Sequence, residues 1–163
     1  MAARRLPLLK AGAHALLALP LLFLALGWRQ LLADPQSLVL TAEPVAYTHN
    51  ALGLMALRAL LLSLACTPVR RLTGLAQVMT LRRLTGLWAF AYAALHLGFY
   101  LWADLDLSLG RLWDEVVKRP FILAGMLAFL CLLPLAATST AAAIRRLGAR
   151  RWQIGRASCR ERV

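Results

Sequence analysis

Between the pair Arg82–Arg83 and Asp104 the sequence reads LTGLWAFAYAALHLGFYLWA, without a single Asp, Glu, Lys or Arg. A helix rises ~1.5 Å per residue, so this run can cross a bilayer hydrocarbon core of ~30 Å. One histidine, His96, lies deep inside it. An imidazole at that depth is costly and marks a functional site by default.

A helical projection at ~100° per residue sorts the run into two faces. Gly86, Ala89, Ala93, His96 and Tyr100 share one narrow arc; Trp88, Tyr92, Leu95, Phe99 and Trp102 lie roughly opposite. A small face lets a neighbouring helix, or a flat rigid ligand, approach closely. A porphyrin with axial histidine ligation needs that geometry. At this level three readings of His96 stand: a haem ligand, an interior histidine bonded to a neighbouring helix, or a proton-relay or quinone contact.

The rest of the chain repeats the pattern. Apolar runs at about 11–28, 49–67 and 121–140 join 84–103 to give an all-α, polytopic bundle of four membrane spans. The first exceeds the usual apolar core of a signal peptide, and no clear small-residue cleavage site follows, so it reads as a retained span kinked at Pro20. Pro68 is expected to end the second span, and Pro134 to kink the fourth. Residues 29–48, 68–83 and 104–119 read as loops, with an interfacial piece around Trp113 and Pro120 opening a helix.

With 61% hydrophobic residues, the chain is not an ordinary soluble domain. The formal net charge of +12 could suggest nucleic acid. Its placement excludes that partner: the cations sit in short stretches beside apolar runs, as topology signals do. Arg4, Arg5 and Lys10, then Arg70, Arg71, Arg82 and Arg83, then Arg145, Arg146, Arg150 and Arg151 fall on one side. Arg29, Arg111, Lys118 and Arg119 fall on the other. Both termini are therefore expected to be cytoplasmic, with His96 in the outer half of its span. Cys66, Cys131 and Cys159 show no metal-site or disulfide spacing.

Two further polar residues lie within spans. His14, about one turn inside the first, is either a second cofactor contact or an interior group bonded to a neighbour. Arg58, well inside the second, has to pair, snorkel or face a polar cavity, so it is a candidate contact for a haem propionate or quinone. His49, at the mouth of that span, reads as interfacial. The last residues, IGRASCRERV, are polar, basic and unlike the rest. They resemble adapter DNA read through as protein. The expected domain is thus 1–153, with 154–163 a non-native tail.

RRLTGLWAFAYAALHLGFY resembles the third helix of the MsrQ (YedZ) family, the haem-binding membrane subunit of a bacterial periplasmic methionine-sulfoxide reductase system. ADP at Ala33, ALR before TP within Ala56–Pro68, KRPFILAG at Lys118 and ATSTAAAIRRLGARRWQ at Ala137 resemble further landmarks of that family, in order, up to Gln153. The resemblance implies a ferric-reductase-like, six-helix domain in the bacterial inner membrane, with haem b held by His96 as axial ligand. It implies electrons drawn from the quinone pool or a cytoplasmic flavin reductase. They would pass to a periplasmic molybdopterin-containing catalytic subunit that repairs oxidised envelope proteins. Family members are also associated with FMN, for which no residue here is assignable.

The resemblance also marks a departure. After RRWQ the family continues with a histidine, a span bearing a second histidine, and a last span; those histidines are the expected ligands opposite His96 and for a further haem. Without them this chain is expected to bind haem weakly or not at all. His14 lies toward the other side of the membrane, so joint ligation with His96 is not expected. Two other functions remain open: a ferric-reductase-like oxidoreductase with another acceptor, and a non-redox membrane scaffold. Nothing resembles a nucleophile–base pair, phosphate loop or zinc motif, so hydrolytic chemistry is not expected.

Overall fold

The computed structural model describes residues 2–75 and 77–139, and within them every regular element is helical. The order is α1 (Ala2–Ala33), α2 (Pro44–Thr73), α3 (Val78–Ala103), α4 (Leu109–Lys118) and α5 (Pro120–Thr138). Four stretches, Pro7–Ala33, Pro44–Thr73, Val78–Ala103 and Pro120–Thr138, are long and apolar enough to cross a membrane. The basic segment 141–153 and the tail 154–163 lie outside the described residues, as does Thr140.

The first three helices run well beyond the apolar runs that announce them. Charge marks where hydrocarbon ends, whereas backbone hydrogen bonding continues until something stops it. Pro44 does not sit in a loop but in the first turn of α2. A missing N–H costs nothing there, because the first four N–H groups have no intrahelical partner. Pro68 does not end α2 either; the helix passes through it to Thr73. Membrane helices tolerate such a proline when neighbouring groups re-satisfy the backbone. The end comes at Gly74, whose φ of 69° is the left-handed conformation open to glycine and whose N–H donates to the Arg70 carbonyl at 2.9 Å. The predicted basic loop 68–83 is therefore helical up to Thr73 and again from Val78.

The hexapeptide RRLTGL occurs at Arg70 and again at Arg82. Its first copy closes α2, and its second lies inside α3. Tertiary packing distinguishes them. A Cβ at Gly74 would meet nothing, whereas one at Gly86 would lie 3.3 Å from Ser63 Oγ. Ser63 donates its hydroxyl to the Arg82 carbonyl at 2.9 Å. This bond ties α2 to α3 where glycine lets them approach. Ser63→Ala is expected to cost about 0.6 kcal/mol, the average for interhelical bonds in a membrane bundle. Unfolding by SDS titration from mild-detergent micelles measures it, and an unchanged midpoint would refute the tie.

α1 joins the pair through Leu24, which packs with Leu40, Leu52 and Tyr92. Leu40 folds back from the α1–α2 connection onto Gly27, where an added Cβ would come within 2.5 Å of Leu40 Cδ2. Trp28 Nε1–H donates to Thr48 Oγ1 at 2.9 Å and meets Phe99 edge-on. Tyr92 donates its hydroxyl to the Leu17 carbonyl at 2.6 Å. The bulky face of α3 thus serves α1. On the other side Phe90 stacks on Phe129 of α5. None of the residues of α5 is fully buried, which suits a helix facing lipid or further protein.

The stretch read as a mixed-charge loop after Asp104 contains α4. Asp106 and Leu107 adopt left-handed φ values of 49° and 58°, turning the chain sharply. Ser108 then caps α4, its hydroxyl accepting the Arg111 N–H. Val116 is buried while Trp113 is exposed, the split expected of a helix lying in the membrane interface.

Candidate functional site

The small face of α3 opens onto a cavity of about 480 Å³ between α2, α3 and α5. That volume lies within the usual range of small-ligand and cofactor sites. Ala89, Ala93, His96 and Tyr100, four of the five residues sharing one arc of the sequence projection, line it. The fifth, Gly86, is used for packing against Ser63. From α2 come His49, Gly53 and Ala56; from α5 come Gly125 and Met126. Each of these three helices thus has glycine or alanine in the wall, with larger side chains such as Leu57, Leu97 and Phe129 completing it.

His96 is held in a defined state. Its Nδ1 lies 3.0 Å from the backbone carbonyl of His49. A carbonyl oxygen can only accept, so Nδ1 carries the proton and a neutral ring has its lone pair on Nε2. The ring is seated against Gly53, one helical turn beyond that carbonyl. A Cβ at Gly53 would come 2.9 Å from His96 Cε1 and 3.1 Å from Nδ1, too close for the ring to stay. The side chain of His49 lies beside the same ring, centroids 4.1 Å apart and planes 37° apart, and also contacts Tyr100. Its Nδ1 is buried and has no hydrogen-bond partner among the described residues.

His49 is therefore more than interfacial: it forms the wall against which His96 is set. It is not, in this arrangement, a ligand facing His96 across one metal. Two imidazoles bonded to a shared metal at about 2.0–2.1 Å would have centroids roughly 6 Å apart. The sequence signal for this wall is the His49–Gly53 spacing, which puts a small residue directly beside a histidine one turn on.

The other two candidates lie elsewhere. His14 accepts a hydrogen bond at Nδ1 from Trp88 Nε1–H, 2.9 Å away. Trp88 precedes His96 by two helical turns, so His14 and His96 do not converge. Arg58 is exposed on α2, does not line the cavity and has no partner among the described residues. The arginine that does reach the cavity is Arg119, just before α5, paired to Glu115 at 2.7 Å. No group of three or more His, Cys, Asp or Glu gathers among the described residues.

Residues 51–155 match the family described as ferric reductase like transmembrane component. The chain belongs to that family. It is also similar to curated proteins named protein-methionine-sulfoxide reductase heme-binding subunit MsrQ. The protein of that name from Xanthomonas campestris pv. campestris strain 8004 is 46% identical over 139 residues, covering 85% of this chain and 63% of the relative. That from Azospira oryzae is 42% identical over 151 residues, covering 92% and 61%. That from Xanthomonas euvesicatoria pv. vesicatoria is 50% identical over 108 residues, covering 66% and 50%. The chain thus spans less than two thirds of the length of these relatives. No solved structure matches it. The matched family segment contains α3 and α5 and nearly all of the cavity lining.

Proposed function

We propose that this chain is part of a haem-binding inner-membrane electron-transfer subunit, in which His96 is an axial ligand of haem b. The observation that carries the reading is the donation of His96 Nδ1–H to the His49 carbonyl. Metal-ligating histidines almost always donate their second ring nitrogen in this way, which fixes the tautomer and raises the basicity of the ligating nitrogen. The residues fit the group: a fixed imidazole, an apolar slot in which glycines and alanines alternate with leucine and phenylalanine side chains, and glycine where a Cβ would displace the ring. Haem, when bound, supplies one-electron exchange at iron. His96 would hold the iron, and Gly53, Ala89 and Ala93 would let the macrocycle lie close to the helices. Arg119 would sit at the polar end, suited to a propionate.

Electrons would enter from quinone or a cytoplasmic flavin reductase. They would leave to a methionine-sulfoxide reductase, which the names of the relatives carry, proposed here to be periplasmic and molybdopterin-dependent. The basic ends of α1 and α2 would face the cytoplasm. FMN has no assignable residue here, and the tail 154–163 is taken as non-native. A second reading, delivery to a different acceptor, draws on the ferric-reductase-like family match.

The test is a reduced-minus-oxidised spectrum of membranes under haem-replete expression. It uses this chain and the same chain continued with the C-terminal part of its Xanthomonas campestris relative. The extended chain is expected to show b-type bands and the shorter one weak bands or none. An extended chain that is inserted and folded yet spectrally silent ends the redox reading. Reoxidation by the purified periplasmic reductase then separates the two acceptors.

A further inference from the structure

At the opposite end of the bundle from the α1–α2 connection, α1 and α3 enclose a second cleft of about 400 Å³. Lys10, His14, Thr80, Arg83 and Trp88 line it with two leucines and one alanine. The haem reading does not use it.

Its hydrogen-bonding character follows from one contact. An indole N–H can only donate, so the Trp88 bond makes His14 Nδ1 the acceptor. Neutral His14 therefore carries its proton on Nε2, which has no partner among the described residues. Lys10 has donors only, and so has Arg83. Arg83 gives one N–H to the Ser139 carbonyl and retains four. Neither cation has an ion-pair partner among the described residues, whose only bridges are Arg111–Asp106 and Arg119–Glu115. Before residue 154 every Asp and Glu lies within 34–43 or 104–115, at the other end of the helices. The cleft thus offers two cations and an oriented imidazole N–H, beside an indole of the type that anchors helices at the membrane interface.

We propose that this cleft binds the phosphate headgroup of an anionic phospholipid, its acyl chains lying along the apolar outer faces of α1 and α3. Basic pockets between membrane helices are suited to such headgroups, and each nearby Lys or Arg contributes about 1 kcal/mol of attraction. The proposal is independent of the haem assignment. It differs from a purely topological role for the cations, which needs charge at this end of the bundle but no convergence.

The test is native mass spectrometry of the chain purified in mild detergent, titrated with phosphatidylglycerol or phosphatidylcholine. One bound phosphatidylglycerol is expected to persist where phosphatidylcholine dissociates. The double variant Lys10→Gln/Arg83→Gln is expected to weaken retention about thirty-fold, five-fold or so per charge. Arg70→Gln/Arg71→Gln removes equal charge from the same end outside the cleft and is expected to leave retention unchanged. Equal loss in both double variants overturns the site in favour of diffuse attraction. His14→Ala supplies a further arm that keeps both cations; unchanged retention overturns the role of the imidazole N–H. Competition by glycerol phosphate at equal concentration overturns the lipid assignment in favour of a soluble phosphate.

Discussion

In the extended chain, His96→Ala is expected to abolish or weaken the reduced-minus-oxidised haem bands, by removing the haem that His96 holds, whereas His49→Ala leaves them in place. The two histidines touch, so proximity does not separate them; chemistry does. His96 offers Nε2 with its lone pair fixed by the bond from Nδ1–H to a carbonyl. What His49 contributes to that bond is its backbone oxygen, which alanine also possesses. Haem retention through detergent purification, quantified against protein, reads the contrast. A variant His49→Ala as colourless as His96→Ala would make the His49 side chain a ligand and discard the arrangement argued above. An undiminished haem content in His96→Ala would remove the central assignment altogether.

The contrast also shows how far the sequence could be read. Helices in hydrocarbon leave few alternatives, so four spans and their order followed from long apolar runs and flanking arginines. The division of α3 into a small and a bulky face was equally legible, because a single helix fixes the angular positions of its own side chains. What meets each face was not. Trp88 and Tyr92 turned out to serve α1, which no periodicity within α3 announces. Arg58 looked like a cofactor contact from depth alone, but its angular position on α2 directs it away from the cavity. His49 looked peripheral because its span had been measured by hydropathy. The helix begins at Pro44, which places His49 on a formed turn facing α3. Pro68 misled for a related reason: a proline ends a helix in water more readily than in a bundle that re-satisfies the freed groups.

Substitution at Gly53 should produce the second large effect without touching a ligating atom. An added Cβ would stand 2.9 Å from His96 Cε1 and 3.1 Å from Nδ1, so even alanine forces the ring or the helix to move. The ring is the softer of the two, and any rotation lengthens its bond to the His49 carbonyl. Losing an outer-shell partner of this kind typically costs 10–100-fold in metal affinity, and Gly53→Ala is expected to weaken haem retention by about that factor. Gly53→Leu fills the cavity side of α2 and is expected to eliminate the bands. Gly86→Ala supplies the control, since it also adds a methyl group between α2 and α3 but meets Ser63 Oγ at 3.3 Å, which a small shift of the serine relieves. Its haem content is expected to stay intact. Should Gly53→Ala and Gly86→Ala reduce haem equally, the loss would belong to helix spacing in general and not to the seat of His96. Should Gly53→Leu keep its haem, the ring does not rest where the structure puts it, and the tautomer argument loses its basis.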